Sequence, residues 1–351
     1  MTGIADDIAA LAGMVRDSAD AGERAAAQYV AARLREIGVE DVALEPYRWP
    51  RTHVWAQVPH LLASLGGPLA RAAALISYEL DQSGRVQWVQ RLLPKGDGVN
   101  VVARVPARGR VERTFVLVAH LDAQRTGVIW DRRLIEGGAK RRLEKRAMTP
   151  AALGAALAIA LPFRWLKAVM ALALLDTASR PTVPGANDNA SGVAAVLEVG
   201  RRIAEEPLEK TEVLLAFPGA EEAGMGGMRA FLEHHHLDPR ATFVFGLDTV
   251  GSGTPILAGA EGAVLQHRYR EEDLARVEAA AGADPPARWR IAAYTDPVLA
   301  RFAGLPAVSL LSVGEHGMYT RYHRMDDVPE HVDVACVERC AAIAEATARA
   351  L

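Results

Sequence analysis

RTFVLVAHLD (residues 113–122) is an apolar run closed by a histidine and an aspartate. An uninterrupted run of this kind reads as a strand buried on both faces, as in a parallel sheet covered by helices on either side. Upstream, the apolar spacing predicts helices over 4–17 and 22–38 and strands over 41–47 and 99–105. Downstream of Pro184 the two kinds of element alternate. Helices are predicted over 190–206, 227–236, 271–281, 296–303 and from about 329 to the end, and strands over 211–217, 242–248, 254–258, 288–293 and 305–312. This order predicts an α/β fold, a mainly parallel mixed sheet with helices on both faces, in one domain spanning residues 1–351.

Two stretches interrupt the alternation and are expected as helical insertions, 54–78 and 124–183. The first is rich in Ala and Leu and is broken by Pro59, Gly66, Gly67 and Pro68, which predicts two short helices. Residues 84–92, just after it, alternate apolar and polar and predict a half-exposed strand. The second contains the basic run KRRLEKR (140–146) and the apolar stretches 148–163 and 168–175. A membrane span over 148–175 fails, because about 20 unbroken apolar residues are needed and Arg164 and Lys167 interrupt this one. An interfacial membrane hairpin, helped by the basic run, is one remaining reading. The preferred one is a helical accessory unit in which 54–78 packs on 148–175. Emerging beside His120, such a unit would cover a site there or bury an oligomer interface.

The chain has 351 residues, half of them apolar, so a sizeable core can be buried. Its formal charge of −3 gives no overall attraction to nucleic acid or anionic membranes. The two cysteines, Cys336 and Cys340, fall one turn apart on the predicted last helix and read as reduced core thiols. The start, MTGIADDIAALAGMV, lacks a basic segment followed by a long apolar one, so an amphipathic helix and a cytoplasmic location are expected.

Chemistry-bearing residues recur where predicted strands end. His120 and Asp122 close the 113–122 run; two apart on a strand they share a side, so His120 can hold a metal while Asp122 orients its ring. Asp188, in the turn GANDN before a helix, is a cap candidate, but the turn holds more polar groups than one cap requires. Glu221 and Glu222 follow TEVLLAF, and burying adjacent carboxylates is costly unless they are paired or coordinated. Their side chains diverge, which suits Glu222 to a metal and Glu221 to a general base. Asp248 ends ATFVFGLD, and His323 lies in a polar loop before the last helix. Two imidazoles and several carboxylates at strand ends are what a two-metal hydrolytic site needs.

The order HLD, NDNASG, EE, LD and H, within NVVARV, VLVAHLDA, PGANDNASGVAAVLEVGR, VLLAFPGAEEAGMGGMRAF, FGLDTVG, YTDPVLARFAGLPAV and YHRMDD, resembles the zinc exopeptidases of the aminopeptidase Y type. The likeness covers most of 99–123 and 184–330. It implies a di-zinc aminopeptidase acting on the N-terminal bond of small peptides. One Zn2+ would sit on His120 and Asp248 and the other on Glu222 and His323, with Asp188 bridging, Glu221 as base and Asp122 orienting His120. Co2+ or Mn2+ is compatible with such ligands. The resemblance also implies a cis Asp188–Asn189 peptide bond. Tyr294 and Tyr319 are candidate oxyanion donors. The alternatives are an amidohydrolase or glutaminyl-cyclase-like enzyme on the same scaffold, or a membrane-associated non-catalytic relative. The chain departs from the family's pattern in its long segment between HLD and NDN and in the expansion of 46–98.

Overall fold

The computed structural model describes residues 3–133, 146–147, 150–314, 317, 319 and 321–351. The chain runs α1 (Ile4–Ala12), α2 (Ala21–Glu36), β1 (Asp41–Trp49), α3 (Val54–Ala63), α4 (Pro68–Gln82), α5 (Trp88–Leu92), β2 (Gly96–Val105), β3 (Arg113–Val118) and β4 (Arg146–Ala147). It continues through α6 (Pro150–Ala160), α7 (Arg164–Ser179), α8 (Ser191–Glu205), β5 (Thr211–Phe217), α9 (Gly226–His234), β6 (Thr242–Leu247), β7 (Thr254–Glu261) and β8 (His267–Arg268). The last elements are α10 (Glu271–Ala281), β9 (Ala287–Ile291), α11 (Pro297–Phe302), β10 (Ala307–Val313) and α12 (Val334–Arg349).

The strands form one mixed sheet in the order β1-β2-β5-β3-β6-β10-β7-β9-β4, with β8 on β7. Its centre, β5-β3-β6-β10, is parallel throughout, so four adjacent strands end on the same edge. The apolar run of β3 is buried from Phe115 to Val118, and every residue of β6 and β10 is buried. Helices α8 and α12 pack on each other and on the sheet, joined by α1 and α2, while α9 and α11 form a separate pair. The α/β architecture thus follows from the apolar runs, each too long for a strand with one wet face. Cys336 and Cys340 are free and buried.

Three expected boundaries move. The first helix stops at Ala12, not residue 17, because the chain must leave it to carry Arg16 inward (below). The strand expected over 84–92 is a loop followed by α5. Two of its apolar positions, Val86 and Trp88, face solvent, while the Asp81 carboxylate accepts the Val89 N–H at 3.1 Å and anchors a helical turn. The last long helix starts at Val334, where Asp333 caps it through the Cys336 N–H.

Helices α3, α4, α6 and α7 bury a second apolar cluster, separate from the main core, with Val54, Leu61, Tyr78, Ala155, Ile159 and Leu174 at its centre. The Lys167 ammonium donates to the carbonyls of Ala158 (2.5 Å) and Leu161 (2.8 Å), so a charge inside this unit caps the end of α6. The basic run 140–146 lies outside the described residues except for Arg146. Among the described residues no helix is long and apolar enough to cross a membrane.

One core carboxylate makes stability depend on pH. Glu261 on β7 is fully buried and accepts from Tyr269 Oη (2.7 Å), Thr295 Oγ1 (2.7 Å) and Thr295 N (2.8 Å). Burial pushes its carboxyl up to about 7. The folded chain therefore binds a proton more tightly than the unfolded one, and that stabilisation is complete below about pH 4.5 and lost as pH rises through about 7. Relative to Glu261→Gln, the wild type is expected to lose about 3 kcal/mol across this window. Urea unfolding of both proteins at stepped pH checks it; parallel stability profiles would rule it out.

Candidate metal centre

The site is assembled at the shared carboxyl edge of the four parallel strands. His120 and Asp122 are not on β3, as the sequence suggests, but in the turn beyond it. That turn is pinned by Ala119 N to Ala216 O (3.2 Å), Leu121 N to Pro218 O (2.8 Å) and Ala123 N to Arg16 O (2.9 Å). The His120 Nδ1 therefore faces the Asp122 carbonyl (3.1 Å) as well as its carboxylate (3.4 Å). This turns Nε2 toward Asp188 Oδ1 (3.3 Å), Asp248 Oδ1 (3.8 Å) and Glu221 Oε2 (4.0 Å). On the other side, His323 Nε2 lies 3.0 Å from Asp188 Oδ2 and 3.2 Å from Glu222 Oε1. The two imidazoles thus flank the two oxygens of one carboxylate.

All seven residues singled out from the sequence meet here. His120, Asp188 and Asp248 present ligand atoms within 4.8 Å of one another, and so do Asp188, Glu222 and His323. A third set joins His120 to Glu221 and Glu222. Asp122, fully buried, accepts from Ser18 Oγ (2.6 Å) and from the backbone N–H groups of Glu221 (3.0 Å) and Glu222 (3.1 Å). It therefore fixes the EE turn as well as facing His120.

Asp188 sits in a turn whose excess polar groups are all used. Asn189 Oδ1 accepts from Gly192 N and Thr249 N (both 3.1 Å), and its amide donates to Leu247 O (3.0 Å). Ser191 Oγ donates to Asn187 O (2.6 Å). A Cβ at Gly192 would lie 2.2 Å from Asn189 Oδ1, so only glycine fits there. The Asp188–Asn189 peptide is cis.

Electrostatics follow from crowding five acids with few cations. Burial pushes the Asp188 carboxyl up, but the His120 and His323 imidazoles reverse this and hold it below the usual range. Burial pushes Glu221 well above its usual value and raises Glu222. Burial lowers His323, but the Glu222 and Asp188 carboxylates lift it to about 9.

Several functional neighbours carry no sequence signal. Arg16 is buried with its guanidinium on the carbonyls of Leu121 (2.9 Å), Pro184 (3.1 Å), Gly185 (2.8 Å) and Leu11, tying the His120 turn to the Asp188 turn. Asp327 accepts the N–H groups of Asn187 (2.9 Å) and Asp188 (3.1 Å). Gln124 donates to Glu222 Oε2 (2.9 Å), and Trp130 meets the His323 ring edge-on at 4.3 Å between centroids. Of the two oxyanion candidates, Tyr294 is committed to Glu79 on α4 (2.7 Å). The Tyr319 hydroxyl is buried and without a hydrogen-bond partner among the described residues. It borders, with Asp188, Glu221, Glu222 and Asp248, a cavity of about 20 Å3, enough for one water. A cleft of about 130 Å3 adjoins Glu221, Glu222 and His323, walled by Tyr78, Trp130, Met170 and Leu174.

A doubly covered mixed sheet with histidines and carboxylates gathered at its central strand ends defines the class, an α/β protein with the zinc-exopeptidase fold. A profile of Peptidase family M28 matches residues 164–348, more than half of the chain, and the chain belongs to that family. Over 70 residues it is 49% identical to the probable lipoprotein aminopeptidase LpqL of Mycobacterium tuberculosis; that stretch is 20% of this chain and 14% of the relative, so most of the relative's length is unmatched. The zinc aminopeptidase BSAP of Bacillus subtilis is similar in fold, with a TM-score of 0.59 and 15% identity over 98% of this chain and 93% of that one. The glutaminyl cyclase of Bacteroides thetaiotaomicron reaches a TM-score of 0.61 at 15% identity over 99% and 96%.

Proposed function

We propose that this protein is a metallo-aminopeptidase that holds two divalent cations, zinc in the first place, and removes the N-terminal residue of short peptides. The carrying observation is the pair of donor sets, His120–Asp188–Asp248 and Asp188–Glu222–His323, that share one carboxylate. Their fit to cations rests on unused lone pairs. Asp188 Oδ2, Glu222 Oε1 and both ring nitrogens of His323 are buried with no well-formed hydrogen bond among the described residues. Yet His323 Nε2 stands only 3.0 Å from Asp188 Oδ2 and 3.2 Å from Glu222 Oε1, so these three atoms gather round a common point. Carboxylates buried together at this density need positive charge. In this reading His120 and Asp248 would hold one ion, Glu222 and His323 the other, and the Asp188 carboxylate, common to both donor sets, would serve both.

When bound, such ions supply Lewis acidity to a scissile carbonyl and acidify coordinated water toward about 7. The protein's own part is then proton handling and positioning. Glu221, free of the ligand role and bordering the small cavity, takes the proton from the attacking water and delivers it to the leaving amine. Asp122 positions His120 and the Glu221–Glu222 backbone. Tyr319 offers its hydroxyl to the developing oxyanion. The adjoining cleft, with Trp130, Met170 and Leu174 in its wall, accepts an apolar N-terminal side chain of about benzene size.

The test is metal exchange on the intact chain. Dialysis against a chelator is expected to abolish hydrolysis of leucyl-anilide, and about two equivalents of Zn2+ per chain to restore it. Full activity in the chelated protein would refute the reading. Release of ammonia from glutaminyl peptides, with no amino acid released, would instead make it a cyclase.

A further inference from the structure

The helical unit buries its inner face but leaves an outer one uncovered. Of the 21 large apolar residues exposed among the described ones, 15 lie in residues 54–92 and 150–179. They concentrate at two turns. Between α6 and α7, residues 161–165 (LPFRW) are all exposed, with the Phe163 and Trp165 rings stacked on each other, and Val169 and Leu172 continue the strip along α7. Between α3 and α4, Leu62, Leu65 and Leu69 are exposed, Leu69 at 88%. The two turns share one end of the unit. Lys167, buried at the start of α7, has its pKa lowered by burial and by the nearby charge of Arg71, at the start of α4.

We propose that this end of the helical unit docks on the surface of an anionic lipid bilayer. Two features select that occupant. Aromatic rings beside an exposed arginine, Phe163-Arg164-Trp165, match the interfacial zone, where rings sit at headgroup depth and a guanidinium reaches the phosphates. Charge provides the second. The stretches that form this end, 60–75 and 150–175, carry Arg71, Arg164 and Lys167 and no Asp or Glu. This end of the unit is therefore positive in a chain whose total is −3, and a negative surface attracts it. A second copy meeting the first through the same face would bring these cations together with no carboxylate there to pair them, which repels. The helices are too short to cross, so the contact is peripheral.

Flotation of the full chain with vesicles tests this. With vesicles of 70% phosphatidylcholine and 30% phosphatidylglycerol in low salt, the protein is expected to float. With phosphatidylcholine alone or in high salt the bound fraction should fall by about tenfold or more. The triple change Phe163→Ser, Trp165→Ser, Leu172→Ser should weaken binding to the anionic vesicles by at least about tenfold, with hydrolysis of a soluble anilide unchanged. That retained activity also shows that the variant is folded. The wild type staying at the bottom of the gradient with anionic vesicles in low salt overturns the proposal. So does a wild-type dimer in sedimentation velocity that the triple change converts to monomer, since a second copy would then cover the face. The salt and lipid dependence of the wild type decides the matter even if the variant fails to fold.

Discussion

Glu221→Gln is expected to lower kcat by about 10³-fold or more, with KM and bound metal close to wild type. Glutamine keeps the shape of the side chain but cannot take a proton. The proposed ligands, His120, Asp188, Glu222, Asp248 and His323, are untouched by the change, and the Glu221 N–H that anchors the turn to Asp122 remains. The signature is therefore a chemical defect in a metal-replete protein. Zinc content by elemental analysis and steady-state kinetics on an anilide separate this from a binding defect. Retention of near-wild-type kcat would remove Glu221 as the base, and loss of zinc together with activity would recast it as a ligand.

Asp122→Asn is expected to reduce activity by about 10²-fold or more and stability by about 3 kcal/mol. Asp122 is fully buried, and its two oxygens face four donors: Ser18 Oγ, the N–H groups of Glu221 and Glu222, and His120 Nδ1. An asparagine replaces one acceptor by an NH2 that points at donors, leaving the N–H of Glu221 or of Glu222 unsatisfied in the interior whichever way the amide turns. Because the same carboxylate holds the Glu221–Glu222 backbone, both proposed roles of that pair shift at once. Thermal or urea unfolding and kinetics on one preparation check the two effects. A stable, fully active Asp122→Asn protein would show that the turn is held by other contacts.

Much of this arrangement is legible in the residues. The continuous apolar runs of β3, β6 and β10 require cover on both faces, which makes a parallel sheet and places His120, Glu221, Glu222 and Asp248 at one edge. GANDN holds more hydrogen-bonding groups than a cap needs, and the structure spends the surplus on lacing Asp188 to the Leu247–Val250 segment. What is not legible depends on tertiary burial of single polar residues. Arg16 in GMVRDS and Glu23 in GERAA look like ordinary surface charges. Yet Arg16 is 1% exposed, and Glu23 accepts from the N–H groups of Ala19 (2.8 Å), Val99 (3.0 Å) and Ala220 (2.9 Å) and from Tyr47 Oη (2.8 Å). Local pattern also misleads at 84–92, where alternation marks exposure of Val86 and Trp88 and not a strand.

The path of Arg16 has a practical consequence for anyone subcloning this protein. A fragment drawn to the limits of the M28 match, 164–348, would omit His120, Asp122 and the guanidinium that fastens their turn to residues 184–185. Even a gentler trim that discards the first twenty residues would delete that fastening along with the Ser18 hydroxyl. Recombinant versions should accordingly retain the whole amino-terminal arm, with any affinity handle placed ahead of it.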